Sequence, residues 1–251
     1  MPFVLANGVN IHYQEMGQGP LVVMLHGLLL DTLALWYFTA GRIVNGSRRI
    51  IMYDQRGHGK SDKVKNGFDL DTLSLDLEEI LDVVAPGETI DLCGFSYGGL
   101  VSLRYARDHP TRVRRLVVVD SPLPPLVIDA DRWLNADHET LIAALPDGLR
   151  QSVIQAPGFA LKMLRRVGYL ALNTSLIHDI RHEPPFAPAE LGRVTAPCLC
   201  IYGDHSDFRA DGERLAAMLP NASLRTLSGG HRLLNENAQA VTTLAEDFLN
   251  G

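Results

Sequence analysis

No stretch of this chain approaches the ~20 consecutive apolar residues that a membrane span needs. The N-terminus, Met1-Pro2-Phe3-Val4-Leu5, lacks a basic region leading into a long apolar segment, so no signal peptide is read there. Basic residues are not gathered into a block: 23 Lys and Arg stand against 29 Asp and Glu, a formal net charge of −6. That balance excludes a surface built to track a phosphate backbone. Cysteine is scarce and odd in number, at three. Cys198 and Cys200 lie two apart in an apolar run, which puts both thiols on one face of a strand and makes them core thiols rather than a CxxC redox pair. His178 and His182 are four apart in a helical stretch but lack an HExxH pattern and a third ligand, so no metal site is expected. Repeats and low-complexity tracts are absent. These absences predict a soluble, cytoplasmic protein with no cofactor, no metal, no nucleic-acid partner and no membrane partner. A monomer and a homodimer both fit the composition.

What is present is a core. At 251 residues and 46% apolar content, the chain is long enough for one large α/β domain carrying an insertion. Phe3-Val4-Leu5 and Asn10 to Glu15 read as a hairpin around Asn7-Gly8. Short apolar runs at 21–25, 49–53, 89–93, 115–119, 198–202 and 223–227 read as strands buried on both faces. Helical spacing falls at 32–44, 69–84, 100–109 and 237–249. Strands alternating with helices predict a mostly parallel, twisted sheet flanked by helices.

One region breaks the rhythm. From Pro122 to Val194 no strand is evident; the segment is proline-punctuated, with apolar residues in helical spacing at Leu141, Ile142 and Leu145, then Phe159, Leu161, Met163, Leu164 and Leu170. It is too long for a structureless loop in a compact domain. The expected organisation is a core formed by residues 1–121 and 195–251, with residues 122–194 inserted as a helical cap.

The chemistry concentrates in Gly94-Phe95-Ser96-Tyr97-Gly98-Gly99, between a strand and a helix. A GxSxG in that context is a nucleophile elbow: the turn is tight, the serine backbone strained and the flanking residues small, so the hydroxyl projects from the sheet. A serine hydroxyl needs a base, and the base needs a carboxylate to fix its tautomer. His231, in Ser228-Gly229-Gly230-His231, follows the last strand. Carboxylates follow the strand before it, in Gly203-Asp204-His205-Ser206-Asp207, giving the chain order Ser, Asp, His.

With these motifs the chain resembles the α/β-hydrolase superfamily over nearly its whole length. His26-Gly27-Leu28 is similar to the family's HG motif, Asp54 to Ser61 to its DxRGxGxS, and Gly229-Gly230-His231 with Glu236 to its terminal GGH-x4-E. Ala238 stands where relatives often have proline. The resemblance implies an oxyanion hole formed by the backbone N–H groups of Leu28 and Tyr97. It also implies an acid three or four residues after the glycine that ends the strand. Position three is Ser206, which cannot serve, so the resemblance points to Asp207. Asp120 and Asp204 are the alternatives, Asp120 because some relatives draw the acid from the preceding strand. His26 reads as a structural histidine bonded to its own loop, and Asp54, Arg56 and Ser61 as loop-holding residues. His205 reads as a surface residue. Arg165-Arg166 reads as a solvated pair that is also able to attract an anionic acyl carrier.

The expected activity is cleavage of a small-to-medium, mainly apolar carboxylic ester or thioester through an acyl-enzyme on Ser96. The same residues suit a C–C bond hydrolase, a lyase, or an acyl-transferring or cyclising enzyme. A ligand-binding receptor is the reading from another class, and a complete triad argues against it.

Overall fold

A computed structural model describes residues 2–37, 47–126 and 157–251. The described residues form an eight-stranded sheet in the order β1-β2-β4-β3-β5-β6-β7-β8. The strands are β1 (Phe3–Ala6), β2 (Val9–Gly17), β3 (Leu21–Leu25), β4 (Arg49–Tyr53), β5 (Ile90–Phe95), β6 (Val113–Val119), β7 (Cys198–Gly203) and β8 (Ala222–Leu227). β1 and β2 pair antiparallel, as does β2 with β4; every later pairing is parallel. The β1–β2 hairpin turns at Asn7 (φ 46°) and Gly8 (φ 72°), the left-handed pair that a two-residue hairpin turn demands.

The apolar runs are continuous because both sheet faces are covered. Leu21, Val23 and Leu25 of β3 pack into one buried cluster, Val22 and Met24 into the other. Leu116 and Val118 of β6 likewise face away from Val117 and Val119. This period-two alternation fixes the register, since a one-residue slip would exchange the faces. Cys198 and Cys200 share a face, Sγ to Sγ 3.8 Å, and are buried free thiols together with Cys93.

The crossovers are helical. α1 (Leu70–Val84) begins on an N-cap at Asp69, whose side chain accepts from the Thr72 N–H, and buries Leu70, Leu73, Leu77, Ile80 and Leu81. α2 (Tyr97–Asp108) follows β5 directly. Between β6 and β7 lie α3 (Pro157–Asn173), α4 (Leu176–His182) and the short α5 (Pro188–Leu191), with no strand among the described residues. Leu170, Leu176, Ile177, Ile180 and Leu191 from this segment join the same core cluster as β3 and α2. α6 (Arg209–Met218) follows β7, then α7 (Leu233–Glu236) and α8 (Ala238–Asn250) close the chain.

α6 has no counterpart among the helices read from the sequence pattern. Only Gly212 and Leu215 are buried in it, so it carries almost no apolar stripe. Gly212 is there because a Cβ would lie 2.6 Å from the Tyr202 ring. The helix expected over 32–44 is seen at 34–37; residues 32 and 33 precede it outside the helix, and 38–44 lie outside the described residues. So do Leu141, Ile142 and Leu145, and the side chains of Phe159, Leu161, Met163 and Leu164. No helix among the described residues is long and apolar enough to cross a membrane.

Candidate active site

The turn from β5 into α2 is as tight as its glycines require. Ser96 sits at φ 54°, ψ −126°, a conformation that costs a non-glycine residue about 1–3 kcal/mol. It is held there on three sides: its N–H donates to Val119 O at 2.9 Å, and its carbonyl accepts from Gly99 N at 2.9 Å and from Ser121 Oγ at 2.7 Å. A Cβ on Gly98 would lie 2.5 Å from His26 O and 2.6 Å from Leu25 O, and one on Gly94 would strike the Gly98 carbonyl. A Cβ on Gly99 would strike Ser121 Oγ. Close backbone packing at the helix start thus dictates Gly94 and Gly98, and the Ser121 side chain dictates Gly99.

His231 reaches this serine from the loop after β8. Its Nε2 lies 3.2 Å from Ser96 Oγ. The ring is stacked on Phe95, centroids 5.2 Å apart, and meets Phe208 edge-on at 4.8 Å. The bend that delivers it is anchored at Gly229 (φ 144°). The Gly229 N–H donates to Asp204 Oδ1 at 2.9 Å, and the Gly230 N–H to Glu236 Oε2 at 2.6 Å.

The carboxylate facing His231 is Asp120, which corrects the expectation of Asp207. His231 Nδ1 lies 2.7 Å from Asp120 Oδ2. Asp120 is fully buried at the end of β6, itself at φ 46°. Its carboxylate also accepts from Gly203 N at 2.9 Å and from Ser206 Oγ at 2.6 Å. Asp207 is exposed and has no hydrogen-bond or ion-pair partner among the described residues. The reason is geometric: β6 and β7 are parallel neighbours with Val119 opposite Ile201, so both strands end at the same edge. The β6 end points its side chain under the imidazole, and Ser206 occupies the position from which β7 would otherwise supply the acid. Asp204 lies closer to the strand and serves the Gly229 turn.

Opposite the serine, a Cβ on Gly27 would lie 3.1 Å from Ser96 Cβ and 2.6 Å from Asp31 Oδ2. The backbone of the loop after β3 therefore passes directly beside the nucleophile. Leu28 follows on that loop, and Tyr97 is the first residue of α2, where a helix leaves its N–H without an intrahelical partner. Neither N–H has an acceptor among the described residues. The loop is set by two buried histidines. His26 Nε2 accepts from Gln55 N at 3.0 Å while Nδ1 lies 2.5 Å from Gly27 O. His58 Nε2 accepts from Leu29 N at 3.0 Å, fixing Leu29 at φ 65°, while Nδ1 donates to Arg56 O at 2.9 Å. Burial lowers the pKa of His26, and burial with the nearby His26 charge lowers His58 to about 3. Both rings are thus neutral acceptors for backbone N–H groups.

The loop 54–61 is held together by its own side chains, as read. Asp54 accepts from Leu33 N at 2.9 Å and Lys60 N at 3.0 Å and faces His12 Nδ1 at 2.7 Å, and Arg56 Nε pairs with Asp76 at 2.6 Å. His205 is exposed. His178 and His182 stack with centroids 4.1 Å apart, His182 Nδ1 lying 2.8 Å from His178 O. Unread in the sequence was the ion pair of Asp31 with Arg232, 2.9 Å, which joins the loop beside Ser96 to the residue after His231.

Comparison with known proteins adds to this geometry. A family model described as the alpha/beta hydrolase fold matches residues 20–166, more than half of the chain. Among curated proteins, a non-heme chloroperoxidase of Kitasatospora aureofaciens is 29% identical over 247 residues, covering 89% of this chain and 88% of that protein. A putative carbamate hydrolase of Variovorax paradoxus is 35% identical over 264 residues, covering 95% and 96%. Among solved structures, an enol-lactonase from Burkholderia xenovorans superposes with a TM-score of 0.79 at 22% identity, covering all of both chains.

Proposed function

The chain belongs to the α/β-hydrolase family, and from that premise we propose that it is a serine hydrolase cleaving a small-to-medium carboxylic ester or thioester through an acyl-enzyme on Ser96. The observation that carries the proposal is the relay from Ser96 Oγ to His231 Nε2 at 3.2 Å and from His231 Nδ1 to Asp120 Oδ2 at 2.7 Å. In this reading Ser96 Oγ attacks the substrate carbonyl as His231 Nε2 takes its proton. Asp120 holds the imidazole in the tautomer with the proton on Nδ1 and stabilises its charged form. The tetrahedral oxyanion accepts from the Leu28 and Tyr97 N–H groups, which are placed before charge develops. His231 then protonates the leaving alcohol or thiol and activates water for deacylation. The helical segment between β6 and β7 is assigned the role of cap, and with it the choice of acyl group.

The test is a rate panel of p-nitrophenyl esters of increasing chain length beside matching acyl thioesters, with Ser96→Ala as the blank and fluorophosphonate labelling in parallel. Ser96-dependent turnover with labelling supports the reading. Labelling without turnover moves the search to C–C cleavage or acyl transfer on the same residues. Absence of both sinks it.

A further inference from the structure

Most buried and half-buried arginines among the described residues have a carboxylate partner; Arg115, which bonds the Leu249 carbonyl, is one exception. Arg48, Arg56, Arg104 and Arg232 each face a carboxylate. Arg166, half-buried on α3, faces none among the described residues. Its neighbours fix its orientation. Leu170 follows at the i+4 spacing and therefore lies on the same helix face. Leu170 is fully buried, and its Cδ2 lies 3.1 Å from where a Gly57 Cβ would stand. Arg165, one position earlier, is exposed, so the two members of the pair are not equivalent.

The face shared by Arg166 and Leu170 thus sits on the loop whose His58 supports Leu29, next to the oxyanion residue Leu28. The positive charge on Arg166 also opposes protonation of both His26 and His58. The carboxylates on the two loops there are already committed: Asp31 to Arg232 and Asp54 to His12 and two backbone N–H groups. A cation partly withdrawn from water, without a carboxylate partner among the described residues and on the oxyanion side of Ser96, is chemically suited to a substrate anion. A guanidinium recognises a carboxylate in a bidentate fork.

We propose that Arg166 binds a carboxylate carried by the acyl part of the substrate, so that the protein acts on hemiesters or hemithioesters of dicarboxylic acids. This rests on the hydrolase reading above and names its substrate class. Binding at a group remote from the reacting carbonyl orients the acyl chain and contributes to transition-state stabilisation.

The experiment compares mono-p-nitrophenyl glutarate with p-nitrophenyl valerate, which matches it in chain length but lacks the carboxylate. Wild type, Arg166→Gln, Arg166→Lys and Ser96→Ala are assayed, and the thermal shift produced by glutarate is measured on each. The expected result is a kcat/KM preference for the hemiester that falls roughly 10- to 100-fold in Arg166→Gln, with valerate turnover unchanged and Arg166→Lys between. Glutarate is expected to stabilise wild type and Ser96→Ala but not Arg166→Gln. An unchanged preference in Arg166→Gln, or equal stabilisation of that variant by glutarate, overturns the proposal. Should Ser96→Ala match wild type on both esters, the hydrolase reading fails separately, and the glutarate shift still decides the anion site.

Discussion

Asp31 and Arg232 meet at 2.9 Å with side chains only 4% and 17% exposed, joining the loop beside Ser96 to the loop that carries His231. Arg232 also lies over the Phe95 ring, 5.6 Å to its centroid, on whose plane His231 stacks. One ion pair therefore couples the oxyanion side of the site to its base. Asp31→Asn leaves the guanidinium uncompensated, at a cost at or below the about 3–5 kcal/mol of breaking a fully buried pair. Denaturant unfolding is expected to show that loss, and kcat to fall more than KM rises. The double variant Asp31→Asn/Arg232→Gln is expected to recover part of the stability. Strict additivity of the two single changes would show that the residues do not act as a pair.

The acid is tested by two conservative substitutions. Asp120→Asn keeps the shape but presents an amide where His231 needs an acceptor, favouring the wrong tautomer. The equivalent change in a serine protease lowers kcat about ten-thousandfold, and a loss of at least about a thousandfold is expected here. Asp207→Asn, on an exposed side chain, is expected to stay within about twofold of wild type. Steady-state rates on the hydrolysed ester decide it, and the reverse ranking would return the role to Asp207.

That pair of residues shows where reading the sequence reaches its limit. β3 and β4 were legible to the residue, because a strand buried on both faces is an unbroken apolar run and polar or turn-forming residues bound it. The elbow, His26 and His231 were legible because each sits in a motif whose spacing the local backbone dictates. The acid was not. β6 and β7 are parallel neighbours ending at one edge, so two strand ends compete for one imidazole, and only the three-dimensional reach of the side chain chooses. The sequence signal for Asp120 is its place directly after Val117-Val118-Val119; the structure shows it fully buried there, where a carboxylate needs several donors. Neither α6 nor the Asp31–Arg232 pair was legible, the first for want of an apolar stripe and the second because its members are two hundred residues apart.

The buried histidines predict the acid limb of stability. An unfolded histidine titrates near 6.5, while in the folded protein burial lowers His26, and lowers His58 to about 3. Between those values the unfolded chain binds protons that the native protein does not. Stability from this source is therefore full above pH 6.5 and falls as the pH drops, by up to about 1.4 kcal/mol per pH unit for His58, with His26 acting in the same direction. Urea midpoints measured from pH 8 to pH 5 are expected to decline below 6.5, and His58→Asn to flatten that decline. A midpoint independent of pH across this range would show that the two rings protonate in the native state.

Ser206 offers the most stringent test of the site's geometry. It stands at the β7 end, and its Oγ lies 2.6 Å from the same Asp120 oxygen that lies 2.7 Å from His231 Nδ1. The two strand ends thus converge on a single acceptor position, and a carboxylate supplied from β7 has only about one bond length to make up. Ser206→Asp alone places a second carboxylate against a fully buried one. Like charges there disfavour double ionisation, so that variant is expected to be less stable than wild type. In the Asp120→Asn background the conflict disappears, and Asp120→Asn/Ser206→Asp is expected to recover at least about tenfold of the lost activity. Single-turnover rates of acylation would measure it, since that step needs the histidine as base. Recovery would show that the imidazole requires a charge at that point in space and is indifferent to the strand that delivers it. A double variant as inactive as Asp120→Asn would mean that the strained backbone at Asp120 (φ 46°), and not the carboxylate position alone, sets the alignment of His231.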